Sequence, residues 1–379
     1  MTDDFATLDQ AGDSPEKVIA KLIDLLRANH NYHQLFDALL LQKKQAWGLP
    51  LAHPTSFEDV PDSKKVEFEQ AYIAAAREVG ELLLEEKQIG QAWLYFRTIR
   101  DPQPVIQAIE ALDEEQPPPD EIVDIALYQG VAPAKGLAFL LKHHGTCNSV
   151  TALDQQLRQL APEQRQACAA LMVRQIYGDL RESVAMDVER RTTHKPDSQL
   201  SLVEVLQGNP ELFADDNYHI DVSHLHAIVR FARSLTPADP ELPLARQLAE
   251  YGSRLAPQYQ YAGDPPFEAY YPAHIHYFSA LIGDRREEAI RYFEENVQGQ
   301  TQDIERQLSA LGLVELLMRL QEYPKAAEIA IEHLAHVQEQ IGFSLGDLCL
   351  QANRPDLLQK LALSRQDLVG YATSLLMKS

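Results

Sequence analysis

Apolar residues return every three to four positions along most of this chain, the spacing that puts them on one stripe of an α-helix. From Pro15, Val18, Leu22, Leu25 and Leu26 set this rhythm as far as Asn29, and it resumes through Leu35, Phe36, Leu39 and Leu40 to Trp47-Gly48. The spacing predicts a first helical hairpin. Gly48 to Pro61 holds three prolines and no periodicity, so it reads as a loop, after which Asp62-Ser63 is placed to cap a long helix. A short helix is expected over 104–112. Gln116 and the three prolines 117–119 then form a linker, because tandem prolines cannot continue a helix. Helices over 121–129 and 133–144 are each closed by a glycine, Gly130 and Gly145, where a left-handed cap is expected. Pro162 opens a longer helix carrying Ala167, Leu171, Ile176 and Leu180, with Gly178 as a point of bending.

The rhythm fails over 190–222, a polar, turn-rich stretch with one brief helix around Leu202 to Leu206. It returns from Ser223 to Leu235 and from Glu241 to Leu255, followed by a loop of about sixteen residues before Pro272, long enough to suggest function. Two short helices lie beyond Pro355. Strict alternation never lasts past four residues outside Asn217 to Val222, so no strand is expected. The expected fold is therefore all-α, in antiparallel hairpins with an irregular middle segment. Three divisions follow from the linker and the loss of rhythm: 1–115, 120–190 and 191–379, or one continuous stack.

One segment carries a more specific pattern. Ala76, Val79, Gly80, Leu83, Ala92, Phe96 and Pro104 stand at the spacing of a tetratricopeptide repeat, and residues 73–104 resemble that family. The small Gly80 and Ala92 allow two helices to cross closely while Val79, Leu83 and Phe96 fill the groove between them. Weaker matches lie over 271–303, with Ala289 and Phe293 and one extra residue in the turn, and over 307–338, with Leu313, Leu317 and Ala326. Ala76 stands where a large residue is usual and Leu83 where an aromatic is usual. The resemblance implies a stacked α-α superhelix with a concave surface that binds a partner protein or peptide, without catalysis.

Charge narrows the partners. Among 379 residues, 34 are basic and 56 acidic, a net charge of −22, and no Lys or Arg occurs from Asp101 to Asp124. Such a chain disfavours nucleic-acid phosphates and favours a basic partner held in a salt-sensitive way. The start, Met-Thr-Asp-Asp-Phe, has no basic and apolar leader, and no run of about 18 apolar residues occurs, so a cytoplasmic protein that does not enter a membrane is expected. Cys147, Cys168 and Cys349 are odd in number and widely spaced, which suits reduced, buried thiols. Oligomeric state is not legible.

Candidate chemistry gathers in two places. Over 215–226, His219 and Asp221 would share one side of an extended segment, with His224 as a third ligand for a zinc, iron or manganese ion. The competing reading makes Asp221 or Ser223 a helix cap, buries Leu225, Ile228 and Val229, and turns His226, Arg230 and Arg233 to solvent. Over 259–277, Tyr259, Tyr261, Tyr270, Tyr271 and His274 are threaded with prolines and offer flat surfaces with polar tips, suited to a peptide or small ligand. The competing reading closes a groove between helices with them. The leading function is thus a non-catalytic interaction protein needing no cofactor. The alternative is a metal-dependent enzyme or small-ligand-binding protein that uses both clusters.

Three motifs carry less. His143-His144-Gly145 suits a helix end, where imidazoles meet terminal carbonyls, and Cys147 beyond it invites a thiol-nucleophile reading that nothing orients. Gly342-Phe343-Ser344-Leu345-Gly346 has the letters of a hydrolase elbow, but the elbow needs a preceding strand and 332–340 reads as helix.

Overall fold

The computed structural model describes residues 2–10, 12, 14–337 and 342–377. Among these the chain is all-α; no strand forms, and one isolated bridge pairs Ala262 with Ala269. The chain divides into two compact units, Met1–Ser149 and Val150–Ser379.

In the first unit, α1 (Thr2–Asp9), α2 (Pro15–Ala28), α3 (Tyr32–Ala46), α4 (Lys65–Glu85), α5 (Ile89–Thr98) and α6 (Gln103–Glu110) follow in order. From α1 to α5 each packs on its neighbour in sequence, and α5 packs on α6. The first hairpin is α2 with α3, its buried stripe made by Ile19, Ile23 and Leu26 against Leu35, Phe36 and Leu40. The Asp62-Ser63 cap does not form. Those residues enter a 3-10 turn, Asp62–Lys64, and Asp62 instead pairs with Lys65 at 2.7 Å. The 48–61 loop is pinned by Lys44, fully buried, whose Nζ donates to the His53 carbonyl at 2.7 Å and lies 3.5 Å from Asp59.

Helices α4 and α5 pack on each other as a hairpin. Val79, Leu83, Ala92 and Phe96 are buried between them, and the absence of a side chain at Gly80 lets the Phe96 ring come close to the α4 backbone. A Cβ at position 80 would stand 2.6 Å from Phe96 Cε2. Gly80→Ala is therefore expected to destabilise the first unit by about 1–2 kcal/mol, because overpacking costs more than the helix propensity gained. Urea unfolding followed by tryptophan emission, with Trp93 on α5 as reporter, checks this; an equal or higher midpoint would show that the ring moves aside cheaply.

Helix α7 (Asp120–Val123) continues into a π-helical segment, Asp124–Tyr128, and Ile122, Ile125 and Ala126 join the same core as Val105 and Ile109. The core thus continues across the triple proline. Helix α8 (Pro133–Gln156) breaks at Gly145, whose φ of 80° and ψ of 174° are not helical. Gly130 takes the positive φ expected of it, 73°. The acidic run from Asp101 is partly neutralised by bases from outside it, Asp101 by Arg77, Glu114 by Lys135 and Glu115 by Lys142, at 2.8–2.9 Å.

In the second unit α9 (Pro162–Thr192) runs helically through Gly178, with Cys168, Met172, Ile176, Leu180 and Val184 buried. The irregular stretch holds α10 (Leu202–Gly208) and a 3-10 segment, Pro210–Asp216, kinked at Ala214 and Asp215. Then come α11 (Val222–Phe231), α12 (Leu242–Gly252), α13 (Tyr270–Ile282), α14 (Arg286–Gly299), α15 (Asp303–Arg319), α16 (Tyr323–His333), α17 (Leu345–Gln351), α18 (Pro355–Arg365) and α19 (Leu368–Leu376), each packing on the next. Ala289 and Phe293 on α14, and Leu313, Leu317 and Ala326 on α15 and α16, are buried. The helix read over 332–340 ends at His333; 334–337 are bend, turn and irregular chain, and 338–340 lie outside the described residues. Ser344 is no nucleophile elbow: it caps α17, accepting the Asp347 N–H at 3.1 Å, and no strand precedes it among the described residues. No helix of the described residues is long and apolar enough to cross a membrane.

Candidate functional site

Helix α11 begins where Asp221 accepts the backbone N–H groups of Ser223 at 2.8 Å and His224 at 3.2 Å, and the Ser223 hydroxyl at 2.5 Å. These bonds, the Ser223 hydroxyl first, hold the Asp221 carboxyl below its ordinary range. The capping reading is therefore the observed one. His219 turns elsewhere. Its backbone N–H donates to the Tyr251 hydroxyl at 2.8 Å, its Nδ1 lies 3.1 Å from that hydroxyl, and its Nε2 lies 3.1 Å from Asp187 on α9. Among the described residues no three His, Cys, Asp or Glu side chains are grouped to hold a metal ion, the set His219, Asp221 and His224 included. Their alternation suggested one ligand face, but the turn into α11 gives Asp221 to backbone donors and His219 to α9.

Capping fixes the phase of α11. Leu225, Ile228 and Val229 enter the core, and His226 and Arg230, with Arg233 in the 3-10 turn Ala232–Ser234 that continues the helix, share another face. That face was expected to meet solvent. Instead the 262–267 loop, with α13 and α15, makes it one wall of a cleft of about 480 Å³. Tyr270 and His274, one turn apart on α13, also line it, as do Leu308, Leu311, Gly312 and Glu315 on α15. Gly312 matters for closure: a Cβ there would stand 2.6 Å from the Pro266 ring.

The wall is a pile of planar groups. Tyr261 lies on His226 with centroids 4.5 Å apart, His226 on Tyr270 at 3.8 Å, Tyr270 on His274 at 4.4 Å and His274 on Phe267 at 4.4 Å. The Arg233 guanidinium ends the pile, 4.3 Å from the Phe267 centroid. The Tyr270 hydroxyl locks the pile to α11 by donating to the His226 carbonyl at 2.6 Å.

The two histidines are held neutral. Burial above all, then the nearby Arg233, pushes His274 down to about 3, against the opposing pull of its bond to the Tyr270 carbonyl. Burial, with Arg230 adding, pushes His226 down to about 4. His274 Nδ1 lies 2.7 Å from the Tyr270 carbonyl oxygen. A carbonyl can only accept, so Nδ1 carries the proton and Nε2 keeps a bare lone pair. That Nε2, in a ring only 1% exposed, has no hydrogen-bond partner in the protein, nor has the buried Nδ1 of His226. The guanidiniums are only partly engaged: Arg230 donates to Asp154 at 2.8 Å, and Arg233 lies 3.5 Å from Glu315.

The five residues named from the sequence divide. Tyr270 and His274 line the cleft, and Tyr261, outside the lining, packs on His226. Tyr259 packs on Tyr218 at 5.1 Å, away from the cleft lining. Tyr271 is fully buried against Gly252 and belongs to the α12–α13 contact. Sequence reasoning missed the contribution of α11, although His226, Arg230 and Arg233 stood at helical spacing. Their cover comes from a loop more than 25 residues away in sequence, and no local signal joins the two.

Cys168 and Cys349 are buried free thiols, pushed up by burial to about 12 and about 11, while Cys147 is exposed, against the expectation for it. Beside Cys147, His143 Nε2 lies 2.9 Å from the Glu114 carbonyl rather than serving its own helix end.

No family model matches this chain, and neither does any curated protein or solved structure.

Proposed function

We propose that this chain is a binding protein that holds a small organic ligand in the cleft walled by α11, α13, α15 and the 262–267 loop. One observation carries this reading: a cleft of about 480 Å³ lined by aromatic rings holds two guanidiniums with donors to spare. Volumes of a few hundred Å³ with aromatic walls and a few convergent polar groups are typical of ligand sites.

The test is a thermal-shift screen of the full chain against a panel of small organic acids, amines, amino acids and nucleosides. A true ligand at a hundred times its Kd adds about 2.7 kcal/mol of stability. The same compound is expected to leave Leu308→Trp and Leu311→Trp unshifted, because an indole there fills the cleft mouth. A panel without any hit, or a hit that shifts both variants as it shifts the native chain, removes the reading.

A second reading is favoured by the α4/α5 hairpin and the net charge of −22: a tetratricopeptide-like protein that holds a basic partner peptide on its helical surface. Selection of a displayed peptide library against the full chain would then enrich basic sequences whose binding weakens as salt rises. Selection that enriches nothing removes it.

A further inference from the structure

Helix α19 lies on α18 with its apolar side outward. At about 100° per residue, Leu368, Val369, Ala372, Leu375 and Leu376 fall within an arc of about 120°. That arc is the open one: Leu368 is 85% exposed, Val369 78%, Leu376 74% and Leu375 49%, with Ala372 exposed between them. The opposite side carries the small residues. Ser374 is fully buried, and a Cβ on Gly370, one turn before it, would stand 3.4 Å from the Cβ of Ala362 on α18. The phase of the helix is fixed at its start, where Asp367 accepts the N–H groups of Val369 and Gly370 at 3.0 Å each and donates its own N–H to the Ala362 carbonyl at 2.9 Å. A helix at a water-facing surface ordinarily turns its apolar stripe to the core. Here the stripe is turned to water, and it is the least satisfied apolar surface of the second unit.

We propose that this stripe is covered by the same stripe of a second copy of the chain, in a two-fold pairing of α19 helices centred on Ala372. Shape is the first argument. Leu368 and Leu376 lie about 12 Å apart along the helix with Ala372 midway. A two-fold axis at Ala372 sets the small residue against itself where the helices approach most closely, and lays the leucines of each end beside those of the other copy's opposite end. Area is the second. The four large side chains expose roughly 500 Å² together, and two copies bring about 1,000 Å², the extent a specific interface must reach. Charge is the third. No residue from Leu368 to Leu376 is charged, so the stripe offers no acid to a basic peptide and no Lys or Arg to an anionic lipid. Two copies that each carry −22 repel one another except across such a neutral surface, and salt screens that repulsion. The pairing therefore tightens as salt rises, opposite in sign to capture of a basic peptide.

Sedimentation equilibrium of the full chain over about 1–100 μM, at low and at high sodium chloride, reads the association. A mass moving from one chain to two is expected, with the dimer favoured at high salt. Ala372→Glu and Ala372→Lys change an exposed position, so each should keep the native circular dichroism spectrum while dimerising at least about a hundredfold more weakly, because like charges meet at the axis. An equimolar mixture of the two variants should recover the dimer, since position 372 of one copy faces position 372 of the other. A single-chain mass at every concentration and salt would overturn the proposal, as would a dimer that both variants leave intact. Two monomeric variants whose mixture stays monomeric would overturn the two-fold contact at Ala372. A monomeric chain that binds phosphatidylcholine vesicles, and loses them in Ala372→Glu, would give the stripe to a lipid surface instead.

Discussion

Asp187→Ala is expected to destabilise the second unit by about 2–4 kcal/mol, because it strips a buried carboxylate from several donors at once. Asp187 is 6% exposed and accepts from Arg190 at 2.5 Å, Arg191 at 2.9 Å, Asn217 at 3.2 Å and His219 at 3.1 Å. Burial alone would raise its pKa, but the bonds from His219, Arg190 and Arg191 outweigh it and leave the carboxyl below its ordinary range. Arg190 is well exposed and returns to water at little cost when its partner goes. The loss is concentrated at His219, whose side chain is buried and whose Nε2 proton would lose its acceptor. That proton sits on Nε2 because the Tyr251 hydroxyl, which accepts the His219 backbone N–H, can turn its own hydrogen to Nδ1.

One carboxylate therefore ties α9 to the irregular 209–219 segment, and through Tyr251 to α12. Denaturant unfolding followed by far-ultraviolet circular dichroism checks the size. Asp187→Asn, which keeps one acceptor oxygen, should fall between the native chain and the alanine variant. A loss below about 0.5 kcal/mol in both would mean that the network is no stronger than a surface pair. The pH sign follows from the depressed pKa: the contribution is present above the unfolded carboxyl value near 4 and fades as pH falls through the lower folded value.

Legibility tracked the range of the interaction. The α4/α5 hairpin was readable because its determinants, Gly80 and Phe96, lie sixteen positions apart on two consecutive helices, and a pattern of spacing captures them. The failure of rhythm over 190–222 was readable for the same reason, since it is a local property of the chain. The site was half readable. Tyr270 and His274 stood out by composition, but the identical argument chose Tyr271, which the neighbouring register sends into the contact with Gly252. Residues adjacent on a helix point about 100° apart, so one tyrosine of a pair meets the cleft and the next meets α12. Asp187 left no signal at all. It lies near the end of a 31-residue helix among other charges, and only the return of the chain at Asn217 and His219 singles it out.

The second unit is also expected to lose stability steadily as pH falls from about 6.5 toward 4, well before ordinary carboxylates titrate. His226 and His274 have folded pKa values of about 4 and about 3, lowered chiefly by burial, against about 6.5 in the unfolded chain. A group with a lowered folded pKa binds its proton in the unfolded state first, so its stabilisation is complete above 6.5 and declines until the folded value is reached. Each such histidine removes up to about 1.4 kcal/mol per pH unit inside that window, and the pair about 3 kcal/mol per unit. His219 and His276, shifted the same way mainly by burial, add to the slope. Asp264 and Glu315 at the cleft could steady a charged imidazole, but Arg230 and Arg233 flank the same rings and oppose it.

Urea midpoints by circular dichroism at pH 7 and pH 5 give the comparison. A fall of several kcal/mol is expected in the native chain, and a smaller fall in His274→Phe, whose ring keeps the stack with Phe267 and Tyr270 and has no proton to take up. Equal stability at the two pH values would mean that the imidazoles titrate normally and that water reaches the two rings.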